Sequence, residues 1–348
     1  MTRPIRLLTS LTCIALFTVS CGDDARSSDS GGDQSVTITL VTHDSFAVQD
    51  ALLDEFTERT RITVEVVTAG DTGQMISQSI LSAGDPLGDV MFGVDNTFLQ
   101  RALDAGLFIP YEAEALADVA DEFVIDDQHR VTPIDFGDVC VNYWTDALPG
   151  PVPTSLADLI DPVNAGQLVV QSPESSSPGL AFLLATIAGT DDWEQFWTDL
   201  RANGVRVTPD WESAYYGEFT SGGGDRSMVV SYASSPPVEM MFAAEPIDEP
   251  PTGVLLDSCY RQIEFAGVLA GTPHPEAAGQ VIEFLLSEEF QNGIPESMFV
   301  FPVSDRAELP ETWAAHAQVA ENPLMLDPAE VEANRDEWID RWVEIVLG

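Results

Sequence analysis

The sequence predicts an α/β protein of two domains, built on a mostly parallel sheet with helices on both faces. Three observations carry this. Apolar, β-branched strand patterns alternate with helical patterns between Ser35 and Gly106, the signature of strand–helix–strand units. The same alternation resumes near Gln167. The chain has 348 residues, a length that favours two domains over one.

"SVTITLVTH" alternates and is rich in β-branched residues, so it reads as a strand. "AVQDALLDEFTERT" follows with apolar residues at helical spacing, and "RITVEVVTA" is a second strand. A polar loop around Asp71 and Gly73 opens the helix "QMISQSILSAG". "DVMFGVD" is a third, almost wholly apolar strand, and "NTFLQRALDAG" a helix that stops at Gly106. In the second run, the strand "QLVVQSP" leads through a Ser-rich turn into the apolar helix "SSSPGLAFLLATIAG". "SMVVSYASSPP" repeats that design. "PHPEAAGQVIEFLLSEEFQNG" reads as one helix, with Pro275 in its first turn and Gly293 at its stop. "AEVEANRDEWIDRWVEIVL" is the last helix, and no repeat recurs at a fixed period.

Residues 1–21 read as a leader, not as part of the fold. Arg3 and Arg6 precede the short apolar stretch Leu7 to Val19, which suits a signal peptide better than a membrane span. It ends in "TVSCG", which resembles a bacterial lipobox, so Cys21 is the expected lipidation site. Residues 22–35 are polar and rich in Gly, Ser and Asp, as a flexible tether is. The expected protein is exported, held to the outer face of the cytoplasmic membrane by N-terminal lipid. Cys13 leaves with the leader, so Cys140 and Cys259 remain in an oxidising compartment and are expected to form a disulfide.

Charge excludes several functions. The chain carries 14 basic and 58 acidic side chains, a formal net charge of -44, and every basic residue is Arg. Chemistry that needs a Lys is absent, from Schiff bases to the P-loop grip on phosphate. Nucleic acid would be repelled, whereas cations would be concentrated.

The loops at Asp71, at Ser175–Ser177 and at Ser234–Ser235 follow strands, where open α/β sheets bind ligands. Their serines can cap helices or bind a ligand. "WESAYYGEF" (Trp211–Phe219) packs four aromatics and two glutamates next to the glycines 222–224. It reads either as a helix start with core aromatics or as a pocket wall that stacks on a ligand.

"THDSF", "DVMFGVDN", "PIDFGD", "SSSPGL", "WESAY", "SYASSP" and "IPESMFVFPV" occur in that order. Together they closely resemble the thiamine-binding proteins of bacterial ABC importers, over nearly all of the chain from about Val36. The resemblance implies the two-lobed type II periplasmic-binding-protein fold, with a ligand cleft between the lobes. Lobe 1 would take residues 36–139 and 266–348, and lobe 2 residues 140–265. It implies a monomer, without cofactor or catalysis, that captures thiamine, or a thiamine phosphate, and delivers it to a membrane permease. By motif, the ligand-contacting positions would be Asp71, Thr72, Ser176, Ser177, Trp211, and Tyr232, Ala233, Ser234 and Ser235. His43 falls where some relatives have Tyr, and Phe299 where some have Trp. The chemistry agrees: aromatic faces attract a thiazolium cation, and a carboxylate such as Asp71 accepts from the aminopyrimidine or offsets the positive charge.

Two other readings compete. Related clamps hold ferric ion with adjacent tyrosines, and Tyr215–Tyr216 is such a pair. Thiaminase I shares the expected fold and uses a Cys nucleophile, for which Cys140 is the candidate; a bridge to Cys259 would remove it. His129, His274 and His316 show no metal-ligand spacing.

Overall fold

The computed structural model describes Ser35–Gly348. The expected leader, the lipid-bearing Cys21 and the tether up to Gln34 lie outside the described residues. β1 (Val36–Thr42) leads into α1 (Asp50–Thr60), β2 (Ile62–Thr68), α2 (Thr72–Leu81), β3 (Val90–Asp95) and α3 (Leu99–Asp104). A short β4 (Phe108–Ile109) precedes the long β5 (Thr132–Trp144). Then come β6 (Leu168–Gln171), α4 (Ser177–Gly189), α5 (Trp193–Ala202), β7 (Arg206–Thr208), β8 (Met228–Tyr232) and α6 (Ser235–Met241). The chain ends with β9 (Thr252–Leu269), α7 (Pro275–Leu285), α8 (Glu288–Ser297), β10 (Phe301–Pro302), α9 (Glu311–His316) and α10 (Pro328–Val346).

The strand order is β2-β1-β3-β9-β5-β8-β6-β7, with β4 on β9 and β10 on β5. β2, β1 and β3 pair in parallel, as do β8, β6 and β7. The centre differs from the mostly parallel sheet expected: β9 and β5 pair antiparallel with each other and with both flanks. Both are long and largely buried, so they lack the alternation that marks a half-buried strand. The parallel flanks lie on either side of β9 and β5, which run side by side through the middle of the sheet. Their pairing slips register between Pro133 and Asp135 and again between Val139 and Val141, which bends and twists the ribbon. The Cys140–Cys259 disulfide locks the two strands together there.

Helix α4 is buried along ten successive residues from Ser177, as its apolar sequence requires. The helix expected from Pro273 to Gly293 is two helices. Helix α7 ends near Leu285, and Ser287 caps α8 by accepting from the Phe290 N–H, so a capping serine resets the chain. The last helix was expected with lobe 1, yet α10 touches both sides. The Arg335 guanidinium lies 5.8 Å above the Phe98 ring, while Trp342 meets Trp197 of α5 edge-on at 5.4 Å. Among the described residues, no helix is long and apolar enough to cross a membrane.

Candidate functional site: a cleft with an aromatic wall and a carboxylate floor

The segments after β1, β2, β6 and β8 converge on a cavity of about 270 Å³. Such carboxyl ends present helix N-termini and loop side chains to a common space.

One wall is the stretch singled out as aromatic. Ser213–Glu218 forms a π-helical turn, a distortion common at functional sites. The Trp211 indole stacks on Tyr215 with centroids 4.9 Å apart and planes 20° apart. Its Nε1–H donates to Ser231 Oγ at 3.0 Å, and Ser231 Oγ lies 3.0 Å from Ser235 Oγ. Tyr216 stands edge-on to both rings. Trp211, Tyr215 and Tyr216 all border the cavity, while Phe219 is fully buried beneath them. The stretch thus divides between cavity lining and core.

Phe299 faces the cavity from the end of α8. Its φ is +62°, a left-handed conformation that costs a non-glycine residue about 1–2 kcal/mol. It is held there by its N–H on Ile294 O at 3.2 Å and by Ser234 Oγ donating to its carbonyl at 2.7 Å.

The floor is acidic. Asp71 caps α2, its Oδ1 accepting from the Thr72 N–H at 2.7 Å. Thr72 Oγ1 donates to Gly93 O at 3.0 Å. Gly93 sits at a bulge in β3 with φ +96°, and a Cβ there would fall 2.2 Å from the His43 ring; glycine is what lets the imidazole reach the floor. His43 Nε2 lies 3.4 Å from Glu264 Oε2. Burial opposes charge on His43, but the carboxylates of Glu264, Asp71 and Asp44 together outweigh it and raise the His43 pKa. Burial also raises the pKa of Asp71, against the pull of His43 and the Thr72 N–H. The lobes meet at this level. Ser177 Oγ donates to Asp95, and the Gly73 N–H donates to Ser175 O at 3.0 Å.

Of the predicted ligand positions, Asp71, Thr72, Ser177, Trp211, Tyr232, Ser235, His43 and Phe299 border the cavity. Tyr232 donates its hydroxyl to Gln262 Oε1 at 3.1 Å. The other three lie behind the lining. Ser176 is fully buried near the Asp71 carboxyl. Ala233 packs with Cys140 and Cys259, and Ser234 holds Phe299. Sequence reading missed Asp44, Glu212 and above all Glu264, which also border the cavity. Glu264 is the one charge in the apolar run "IEFAGVLA", and that isolation was the available signal. Among the described residues, no Arg borders the cavity.

Among the described residues, no three His, Cys, Asp or Glu side chains are grouped to hold a metal. Tyr215 donates to Glu239 Oε1 at 2.6 Å. Burial and that carboxylate push its phenol well above the usual range, the reverse of what an iron-binding phenolate needs. Cys140 is bonded to Cys259, so it offers no nucleophilic thiol.

The model of the bacterial extracellular solute-binding proteins matches residues 85–319, more than half of the chain. This protein belongs to that family. It is 30% identical over 315 residues to the thiamine-binding periplasmic protein of Escherichia coli (strain K12), covering 89% of this chain and 93% of the relative. A solved periplasmic thiamin binding protein superposes with a TM-score of 0.79 at 27% identity, over 89% of this chain and 96% of that one. Iron-bound HitA from Pseudomonas aeruginosa has a TM-score of 0.71 at 23% identity, over 89% and 99%; it shares the fold. As in a type II periplasmic binding protein, the solute-binding cleft lies between lobes joined by crossing strands, here β5 and β9.

Proposed function

We propose that this solute-binding protein captures thiamine in its cleft and hands it to the permease of an ABC importer. One observation carries the reading: a cavity of about 270 Å³ is bordered both by Trp211 and Tyr216 and by the carboxylates of Asp71 and Glu264, and by no Arg among the described residues. A flat, permanently cationic ligand matches both surfaces. Relatives about 30% identical over most of the chain carry the name of the same vitamin. The reading extends to thiamine phosphates, whose phosphoryl group would meet the amino-terminal end of α4 at Ser177 and the Ser235 hydroxyl.

The proposal has four further parts. The lobes divide near residues 139–140 and 265–266, on the crossing strands, with α10 bridging them. The protein acts as a monomer. Lipid on Cys21 holds it to the membrane. It binds without catalysis, its Cys140 being committed to a structural bridge.

The test is calorimetric titration of the ligand-stripped protein with thiamine, thiamine phosphate and ferric ion. Saturable binding of one thiamine per chain is expected. Absence of binding heat with thiamine, or tighter ferric binding with a visible phenolate-to-iron band, would overturn the reading.

A further inference from the structure

Three buried carboxyl groups stand in a row across the sheet, and one of them, Glu264, borders the cavity. β9 lies between β3 and β5, and Glu264 on β9 is directly opposite Asp95 on β3 and Asp135 on β5. Residues directly opposite in a sheet share a face, with Cβ atoms about 5 Å apart, and like charges there repel. Asp95 is fully buried, Asp135 is 1% exposed and Glu264 is 8% exposed.

The three differ in their partners. Asp95 accepts from Thr97 Oγ1 at 2.8 Å, from the Phe98 N–H at 3.2 Å and from Ser177. Glu264 accepts from Gln262 Nε2 at 3.2 Å and faces His43. Among the described residues, neither Asp135 oxygen meets a donor. A buried carboxylate without a donor is strongly disfavoured. Two facing carboxyl groups can hydrogen-bond if one keeps its proton and donates it to the other.

The titratable groups around this row come from several adjoining segments. They are His43 and Asp44 after β1, Asp71 at α2, the Tyr232 phenol on β8 and the Tyr260 phenol on β9, which senses Asp95, while Glu212 borders the same cavity near His43. His43 is the one cationic group among them. The nearby Arg261 on β9 is committed to Asp138.

We propose that the Asp95–Glu264–Asp135 row holds a shared proton in the empty cleft and releases it when a permanent cation enters, so that capture is a cation-for-proton exchange. The proton leaves a carboxyl O–H of the row for bulk water, and its bonding electron pair stays on the carboxylate oxygen. The entering cation supplies the positive charge that the proton supplied. Burial, with the Glu264 charge opposite, holds Asp135 well above the usual carboxylate range. Burial pushes Asp95 up to about 7. The proton belongs to the coupled row, not to a single residue.

The exchange rests on the thiamine reading for the identity of the cation, so its test has an arm without ligand. The infrared spectrum of the free protein at neutral pH should contain the carbonyl band of a protonated carboxylic acid, and Asp135→Asn should weaken it, leaving what Asp95 contributes. Thiamine is then titrated in buffers of different ionisation enthalpy. About one proton per thiamine should be released, with affinity rising up to about tenfold per pH unit near neutrality. A neutral analogue with thiophene in place of thiazolium keeps the pyrimidine and should release almost none. Asp135→Asn and Glu264→Gln should each flatten the pH dependence. Absence of the carboxylic-acid band from the parent, or thiamine binding without proton release, overturns the exchange. So does full release in Asp135→Asn. If the band is present but thiamine does not bind, the vitamin reading fails while the held proton stands.

Discussion

The cleft is made of two surfaces assembled in opposite ways. The aromatic wall comes from one continuous stretch, Trp211 to Phe219, curled into a single π-helical turn. The acidic floor is backed by three strands: Asp95 and Asp135 meet the cavity-lining Glu264 only because β9 lies between β3 and β5. The wall owes its shape to local ring packing, such as Trp211 on Tyr215. The floor owes its shape to sheet register, locked by the Cys140–Cys259 bond on the strands that carry two of its carboxyl groups. Damage to the wall should therefore appear mainly in affinity, and damage to the floor in stability and pH dependence.

The largest effect is expected at the wall. Trp211→Ala removes the stacking surface and its bond to Ser231. Burial of a large aromatic plus about 0.5–1.5 kcal/mol for ring pairing suggests a loss of about 2–4 kcal/mol. That weakens thiamine binding about 30- to 1,000-fold. Trp211→Phe should lose much less, since a ring remains. Calorimetric titration measures both. Undiminished binding by a folded Trp211→Ala protein would make Trp211 a core residue and erase the contrast between the surfaces.

Next comes the brace under the floor. Replacing Cys140 and Cys259 together by Ala opens a loop closed over a separation of 119 residues. Loss of such a bridge costs about 2–4 kcal/mol of stability, measurable by urea unfolding. Thiamine affinity should fall by less than in Trp211→Ala. A larger fall in affinity than in stability would mean that the bridge positions the ligand rather than bracing the strands.

The floor itself supplies the third. A carboxyl whose folded pKa is raised gives stability that is full below the ordinary carboxylate pKa of about 4 and is lost as pH rises through its folded value. Asp135 is raised by burial and by Glu264, and burial pushes Asp95 up to about 7. The ligand-free protein should therefore lose stability from about pH 4 to beyond neutrality. Asp135→Asn replaces the titrating group by a permanent donor to Glu264. It should gain about 1–3 kcal/mol at pH 8, the range for a hydrogen bond to a charged partner, and little at pH 4. Equal shifts at both pH values would mean that Asp135 does not titrate in this range.

What was legible in the sequence follows the same division. Asp71 and Trp211 follow strands, Tyr232 ends β8 and Ser235 opens α6, and motif and position all point to the cleft. Glu264 and Asp135 sit inside strands that were not recognised, because β5 and β9 are buried on both faces and show no alternation. Their meeting depends on antiparallel register between segments more than a hundred residues apart, which no local pattern encodes. The helix expected from Pro273 to Gly293 failed for a smaller reason. Its periodicity continues through Ser287, whose capping bond to Phe290 outweighs the pattern.

The smallest expected effect separates ring position from ring count. Trp338 lies on α10, is partly buried against the main core and does not border the cavity. Trp338→Phe keeps an aromatic side chain there and trims a packing contact, so stability should fall by about 1 kcal/mol or less, as for a near-conservative core change. Thiamine affinity should stay within about twofold, since no cleft atom moves. The variant also probes α10 itself, which reaches Phe98 through Arg335 and α5 through Trp342. A helix spanning both lobes has the means to favour one cleft width over another. If Trp338→Phe weakens binding tenfold while unfolding at an unchanged urea midpoint, α10 sets the cleft's closure, and the division between a local wall and a sheet-built floor has to admit this helix as a third part of the site.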